Sequence, residues 1–240
     1  MSAIPFVPDP DRIQRAARLV RPLMAAHRFS TKGMEHVPRS GGCLMVVHHS
    51  LATYDGFLLG LDIWDRTGRL GRGLGDDRIF QTPRLAELAQ DIGLVPASPT
   101  AGRELLDAGE LVGVAPGGMW EALRPSEARY QSRWGSRRGF CRLALRAQVP
   151  MLLAAVPRAD ELYSVYASRW TDRIYERLHL PVPLLRGFGP TLLPRPIRLT
   201  AYLAPVIVPP PHDPDQEDAQ VEELFTEAAA RMRALLARRD

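Results

Sequence analysis

Lysine is nearly missing from this chain. Lys32 is the only one among 31 basic residues, so the positive charge is carried by arginine. Arginine binds carboxylates and phosphates through a planar fork, although a GC-rich genome leaves the same bias. Cysteine is equally scarce. Cys43 and Cys141 form no framework, have no metal-ligand spacing and read as buried small hydrophobes, which points to a reducing cytoplasm and no bound metal. No apolar run reaches the roughly 18 residues that cross a bilayer, and the N-terminus has no signal-peptide core. The expectation is a cytoplasmic chain, soluble or peripheral on the inner face of the membrane. Internal repeats and low-complexity tracts are absent, as is the Gly-x-Ser-x-Gly elbow of serine hydrolases. The arginines are dispersed without a binding motif, so no nucleic-acid partner is expected.

What is present suits one globular domain. In 240 residues, 45% are hydrophobic and 24% charged, enough to bury a sizeable core without the polar bias of disorder. A net charge of +4 and a pI near 9.4 favour anionic partners such as lipid surfaces and phosphate groups. Strands are predicted around Phe29–Gly33, Leu44–Val47, Leu111–Ala115, Met151–Val156 and Arg198–Leu203. They alternate with helices around Phe57–Thr67, Arg84–Ile92, Thr100–Ala108 and Phe140–Ala147. This order implies an α/β fold: a single domain with a mixed, mostly parallel sheet flanked by helices.

Residues 1–28 read as an N-terminal amphipathic segment, with Ile13, Ala16, Ala17, Val20 and Met24 at helical spacing and Arg12, Arg15 and Arg18 mainly opposite. Such a helix packs on its own domain or lies on anionic lipid, and Pro22 is expected to break or kink it. Residues 29–208 form the main domain, and 209–240 a C-terminal helix packed on it. Proline-rich stretches at Pro181–Pro194 and Pro209–Pro214 mark loops, and the closing helix spans Gln216–Arg239.

Two segments carry chemistry. The first is Val46-Val47-His48-His49-Ser50-Leu51-Ala52-Thr53-Tyr54-Asp55-Gly56. Six residues along a helix rotate by about 240°, so His49 and Asp55 meet only if the chain turns between a strand and a helix. Asp55 would then fix the imidazole tautomer while His49 takes a proton from an attacking hydroxyl. The alternative is structural: Thr53 is a good N-cap, and an acid in the first turn suits the macrodipole by itself. The second segment is the predicted strand Leu111–Ala115 followed by Pro116-Gly117-Gly118-Met119-Trp120-Glu121-Ala122-Leu123. Adjacent glycines let main-chain N–H groups converge on a phosphate or an oxyanion. An ordinary tight turn has the same composition.

Together these segments resemble the glycerolipid and lysophospholipid acyltransferase superfamily. Within it they are similar to the branch of monoacylglycerol and diacylglycerol acyltransferase-like proteins that includes transmembrane protein 68. That branch tolerates five residues between His and Asp, and carries Pro-Gly-Gly followed by Arg-Glu-Ala. Tyr130-Gln131-Ser132-Arg133-Trp134-Gly135-Ser136-Arg137-Arg138-Gly139-Phe140, Val149-Pro150 and Lys32-Gly33-Met34-Glu35-His36-Val37-Pro38 also match it, in order, from about residue 30 to about 165.

The resemblance implies an acyltransferase domain over 29–208. It would move a fatty acyl group from a thioester, acyl-coenzyme A or an acyl carrier protein, to the hydroxyl of a glycerolipid or related alcohol, with no cofactor. His49 would be the base and Asp55 its orienter. Pro116, Gly117 and Gly118 would shape the acceptor or oxyanion site, with Glu121 holding the turn or a headgroup. Arg137 and Arg138 become candidates for carrier phosphates.

Three departures bear on the acceptor. Trp120 stands where the branch has arginine; Ser98 and Pro99 occupy the zone where phosphate-acceptor members place one, with Arg103 nearby; and His48 replaces asparagine or an aromatic. Trp120 offers an apolar face, so a neutral acceptor is expected to outperform lysophosphatidic acid. A lysophospholipid acyltransferase, a hydrolase using Ser50 and a non-catalytic lipid-binding protein remain alternatives, though retention of both His49 and Asp55 argues against the last.

Overall fold

The computed structural model describes residues 9–51, 54–166 and 184–239. Nine strands are described: β1 (Ser30–Lys32), β2 (Cys43–Val47), β3 (Gly71–Gly75), β4 (Val95–Pro96), β5 (Leu111–Val114), β6 (Met151–Ala155), β7 (Ser164–Tyr166), β8 (Leu184–Arg186) and β9 (Thr200–Leu203). The helices are α1 (Pro10–Ala26), α2 (Tyr54–Thr67), α3 (Asp77–Phe80), α4 (Pro83–Asp91), α5 (Pro99–Asp107), α6 (Gly118–Ala122), α7 (Gly139–Ala147) and α8 (Glu217–Leu236).

Seven strands form one sheet in the order β1-β9-β6-β2-β5-β3-β4, while β7 and β8 pair separately. The run from β6 to β4 is parallel throughout, and β9, antiparallel to β6, carries β1 parallel to itself. This is the mixed, mostly parallel sheet that the alternation of elements predicts.

Helices cover both faces, and the sequence of β2 shows why. Its side chains alternate between two cores, so neither set can be polar. Leu44 and Val46 join Leu105 and Leu106 of α5, Phe140, Ala144 and Leu145 of α7, and Leu224, Ala228 and Met232 of α8. Cys43 and Met45 join Leu58, Leu59 and Ile63 of α2 on the other face.

Helix α1 packs its Val20 and Met24 against that second core and buries Ala17. Arg12 and Arg21 reach Asp91 and Asp65 at 2.9 and 2.7 Å. The apolar face expected as the candidate for a lipid surface is therefore spent on the protein itself. The helix also runs unbroken across Pro22, contrary to the expected break, because tertiary packing offsets the lost backbone bond.

Two further corrections concern strands. The glycine-rich β3 was not foreseen, since glycine argues against a strand; it is held between β5 and β4. Leu184–Arg186, read as loop, pairs antiparallel with Ser164–Tyr166.

The topology fixes where chemistry can sit. β6, β2 and β5 are parallel neighbours, so the segments leaving their C-terminal ends, after Ala155, Val47 and Val114, gather at one end of the sheet. Crevices outside the carboxyl ends of parallel strands are where such sheets bind ligands.

Candidate active site

His48 continues β2, its N–H bonded to the Ala154 carbonyl of β6 at 3.1 Å, and its side chain is fully buried. His49 leaves the ladder and is half-buried. Its main-chain N–H donates instead to Glu121 Oε1 at 2.8 Å. Its ring Nδ1 lies 2.8 Å from the Ser50 carbonyl. A carbonyl only accepts, so Nδ1 carries the proton and the neutral ring holds its basic lone pair on Nε2. Burial pushes the His49 pKa below the ordinary histidine value, which keeps the ring neutral and able to take a proton.

Asp55 sits in the first turn of α2, 3% exposed, and accepts the Ser50 hydroxyl hydrogen bond. Burial raises its pKa to about 6. The expected partners are thus joined through Ser50, whose hydroxyl meets the acid and whose carbonyl meets the imidazole. Thr53, the expected N-cap, lies outside the described residues. Ser50 itself is 1% exposed with its hydroxyl committed to Asp55, a poor position for the nucleophile of a hydrolase.

The turn after β5 is shaped around Glu121. A Cβ on Gly117 would stand 2.0 Å from Glu121 Oε2 and 2.3 Å from its Cβ, so only glycine lets the carboxylate pass. Gly118 takes φ +52°, a left-handed conformation that glycine adopts freely. Its N–H donates to the Ala115 carbonyl at 3.0 Å, which corrects the expectation that it faces an oxyanion. Pro116 leads the chain into this turn, half-buried. Glu121 is fully buried, so it holds the turn and does not meet a headgroup; its Oε2 accepts the Arg133 N–H at 3.0 Å.

Sequence reasoning missed the rest of this cluster. Arg124 and Asp160, from the segments after β5 and β6, are 4% exposed or less at the side chain. Arg124 donates from Nη1 to the His49 carbonyl at 2.7 Å and to the Glu121 carbonyl at 2.6 Å. Its Nε donates to Asp160 Oδ2 at 3.2 Å, and its Nη2 meets both Asp160 Oδ1 and His48 Nε2. His48 Nδ1 lies 2.8 Å from Glu121 Oε1, close in charge although poorly aligned as a hydrogen bond, and Nε2 lies 3.5 Å from Asp160.

Burial opposes the charged ring of His48, but Asp160 and Glu121 outweigh it and raise the pKa. Both carboxylates also resist burial: His48 and main-chain N–H groups pull Glu121 below its ordinary value, and His48 with Arg124 does so for Asp160. Deleting one partner from such a network leaves a buried charge uncompensated, at about 3–5 kcal/mol.

The other expected residues divide. Trp120 is 57% exposed with the Arg133 guanidinium 5.3 Å from its ring centre, so a cation stands beside the position where arginine is replaced. Ser98 caps α5 through the Ala101 N–H, and Pro99 opens that helix. Arg103 is not brought to the site. It grips Asp107 at 2.7 Å and the Arg146 carbonyl at 3.1 Å, at the opposite end of the sheet. Arg138 is also spent, on Glu222 of α8 at 2.7 Å and on the Phe225 ring at 3.2 Å. Arg137 is exposed just before α7, on the site's end of the sheet. Among the described residues, no three histidine, cysteine or acidic side chains converge to hold a metal.

Comparison with known proteins points the same way. A family model described as "Acyltransferase" matches residues 28–156. A human protein named "DGAT1/2-independent enzyme synthesizing storage lipids" is 29% identical over 212 residues, 88% of this chain and 61% of its own length. An uncharacterized protein of Mycobacterium tuberculosis is 30% identical over 189 residues, covering 74% of this chain and 53% of its own. The chain therefore spans about half to three fifths of the length of the curated relatives it matches. The crystal structure of the 1-acyl-sn-glycerophosphate acyltransferase PlsC from Thermotoga maritima shares the fold, with a TM-score of 0.54 at 13% identity, covering 95% of this chain and 81% of the other.

Proposed function

This chain belongs to the acyltransferase family, and we propose that it moves a fatty acyl group from acyl-coenzyme A to the hydroxyl of a glycerolipid or related lipid alcohol. The observation that carries this reading is His49, half-buried at the strand ends with Nδ1–H bound to the Ser50 carbonyl and Nε2 as its basic atom. Nε2 takes the acceptor's hydroxyl proton as that oxygen attacks the thioester carbonyl. The tetrahedral intermediate then collapses, the C–S bond breaks, and the departing thiolate takes the proton back from the imidazolium. No covalent enzyme intermediate is needed. Asp55 acts through Ser50, anchoring the carbonyl that sets the tautomer. Exposed Arg137 is the candidate for the carrier's phosphates.

A neutral acceptor is proposed over lysophosphatidic acid. Supporting this, Trp120 presents an exposed apolar face, while Arg103 and Arg138 are engaged elsewhere. A second reading, with a phosphate-bearing acceptor, is favoured by one observation, the Arg133 guanidinium beside Trp120.

Lipid access is proposed from the inner face of a membrane, peripherally. Among the described residues no helix is long and apolar enough to cross one. Phe188, Leu192 and Leu193 are 59–70% exposed on a loop that Arg195 ties to the Glu161 carbonyl beyond β6, on the same end of the sheet as Trp120.

The test is release of coenzyme A from palmitoyl-coenzyme A with monoacylglycerol, diacylglycerol, long-chain alcohol or lysophosphatidic acid as acceptor. His49→Ala should abolish turnover with every acceptor, and retained turnover sinks the assignment. The acceptor preference fails if lysophosphatidic acid gives the highest kcat/KM and Arg133→Ala removes that advantage.

A further inference from the structure

We propose that the buried cluster of His48, Glu121, Arg124 and Asp160 is a positioning device for His49, gripping both of its main-chain groups from oppositely charged partners. The proposal rests on His49 being the base. Glu121 accepts its N–H at 2.8 Å and Arg124 donates to its C=O at 2.7 Å. A residue just past the end of a strand has no ladder to hold it, and here two side chains replace the ladder.

The remaining members aim those two. Asp160 engages Arg124 through Nε and Nη2, which turns Nη1 toward the His49 carbonyl. His48 lies between the two carboxylates, 2.8 Å from Glu121 and 3.5 Å from Asp160. Asp160 Oδ2 also accepts the Tyr130 N–H at 2.8 Å, and Glu121 accepts the Arg133 N–H at 3.0 Å. The segments after β2, β5 and β6 are thereby tied into one body around His49. For stability alone the arrangement is a poor choice, because well-packed apolar side chains do as well as a buried ionic network or better. For a base whose rate depends on sub-ångström placement, it is a sensible one.

A merely structural network and a positioning one differ in what they do to the His49 ring. The charged groups facing it are Glu121, which favours the protonated ring, and His48 and Arg124, which oppose it. Asp55 reaches it through Ser50.

The experiment follows ring Cε1–H signals by NMR during a pH titration of the full chain without substrate, with the His49 signal identified by its loss in His49→Ala. Glu121→Gln should move the His49 midpoint down and Arg124→Gln should move it up. Arg124→Lys, which keeps the charge and loses the fork, should leave the midpoint in place. Asp160→Asn should lower kcat about 10- to 100-fold, with palmitoyl-coenzyme A and monoolein as substrates and both KM values unchanged.

Midpoints that stay put or move in the same direction in the two glutamine variants overturn the proposal, as does an unchanged kcat in Asp160→Asn. If a glutamine variant loses its fold by circular dichroism, the Asp160→Asn kinetics decide. If His49→Ala retains turnover, the assignment of the base fails instead, an outcome that the substrate-free titration keeps separate.

Discussion

Replacing Asp55 with asparagine should stabilise this protein at neutral pH and slow it. The carboxyl group is buried, and burial lifts its pKa from 3.8 to about 6. The folded state therefore holds this proton more tightly than the unfolded state does. The group's contribution to stability is greatest below about pH 4, declines as pH rises through about 6, and is then constant. A displacement of that size corresponds to a deficit on the order of 3 kcal/mol at pH 8. Asparagine still accepts the Ser50 hydroxyl and has no charge to desolvate. In a chain of this length each kcal/mol moves Tm by about 2–4 °C, so the variant should melt about 6–12 °C higher at pH 8 and about 2–4 °C higher at pH 4.5. Its kcat should nevertheless fall, because a neutral amide holds the hydroxyl less firmly than a carboxylate and Ser50 then orients His49 less well. Melting curves of both proteins from pH 4.5 to 8, with turnover measured on each, decide the matter. A variant that melts lower than wild type at pH 8, or whose advantage does not grow with pH, refutes the linkage argument.

Other perturbations probe the same construction. Ser50→Ala removes the hydroxyl between Asp55 and the His49 loop; kcat should drop about tenfold or more with KM little changed, and unaltered kinetics would discard the relay. Gly117→Ala puts a methyl group into the Glu121 carboxylate, so a loss of about 1–3 kcal/mol is expected in urea unfolding, and unchanged stability would refute the close approach. Arg138→Ala should lower Tm by loosening α8 while leaving the KM for palmitoyl-coenzyme A unchanged; a large rise in KM would return Arg138 to the carrier site.

The sheet was legible because each of its central strands is buried on both faces and so reads as a continuous apolar run, as Leu44–Val47 and Met151–Val156 do. β3 escaped notice for the converse reason. Three of its five residues are glycine. Its strand character comes from its neighbours and is not written in its own side chains. Pro22 is silent in the fold for a related reason, since the helix that contains it is pinned by Val20, Met24 and two ion pairs.

The site was legible only where its parts are close in sequence. His49, Ser50 and Asp55 fall within one turn of chain, and Gly117 and Glu121 within another, so spacing alone brings them into question. Nothing in the spacing links His48 to Asp160, 112 positions on, or marks Arg124 out from the other arginines. An arginine clamp of this kind is a property of strand order: β6, β2 and β5 must be neighbours before the segments behind them can exchange side chains. The same limit explains the misplaced Arg103 and Arg138. Sequence proximity to a motif suggested a phosphate contact for both, yet one reaches from the middle of α5 to Asp107 and the Arg146 carbonyl and the other turns toward α8. A cation's value at a site depends on which carboxylates reach it first, and at both positions an acid within the protein has already done so.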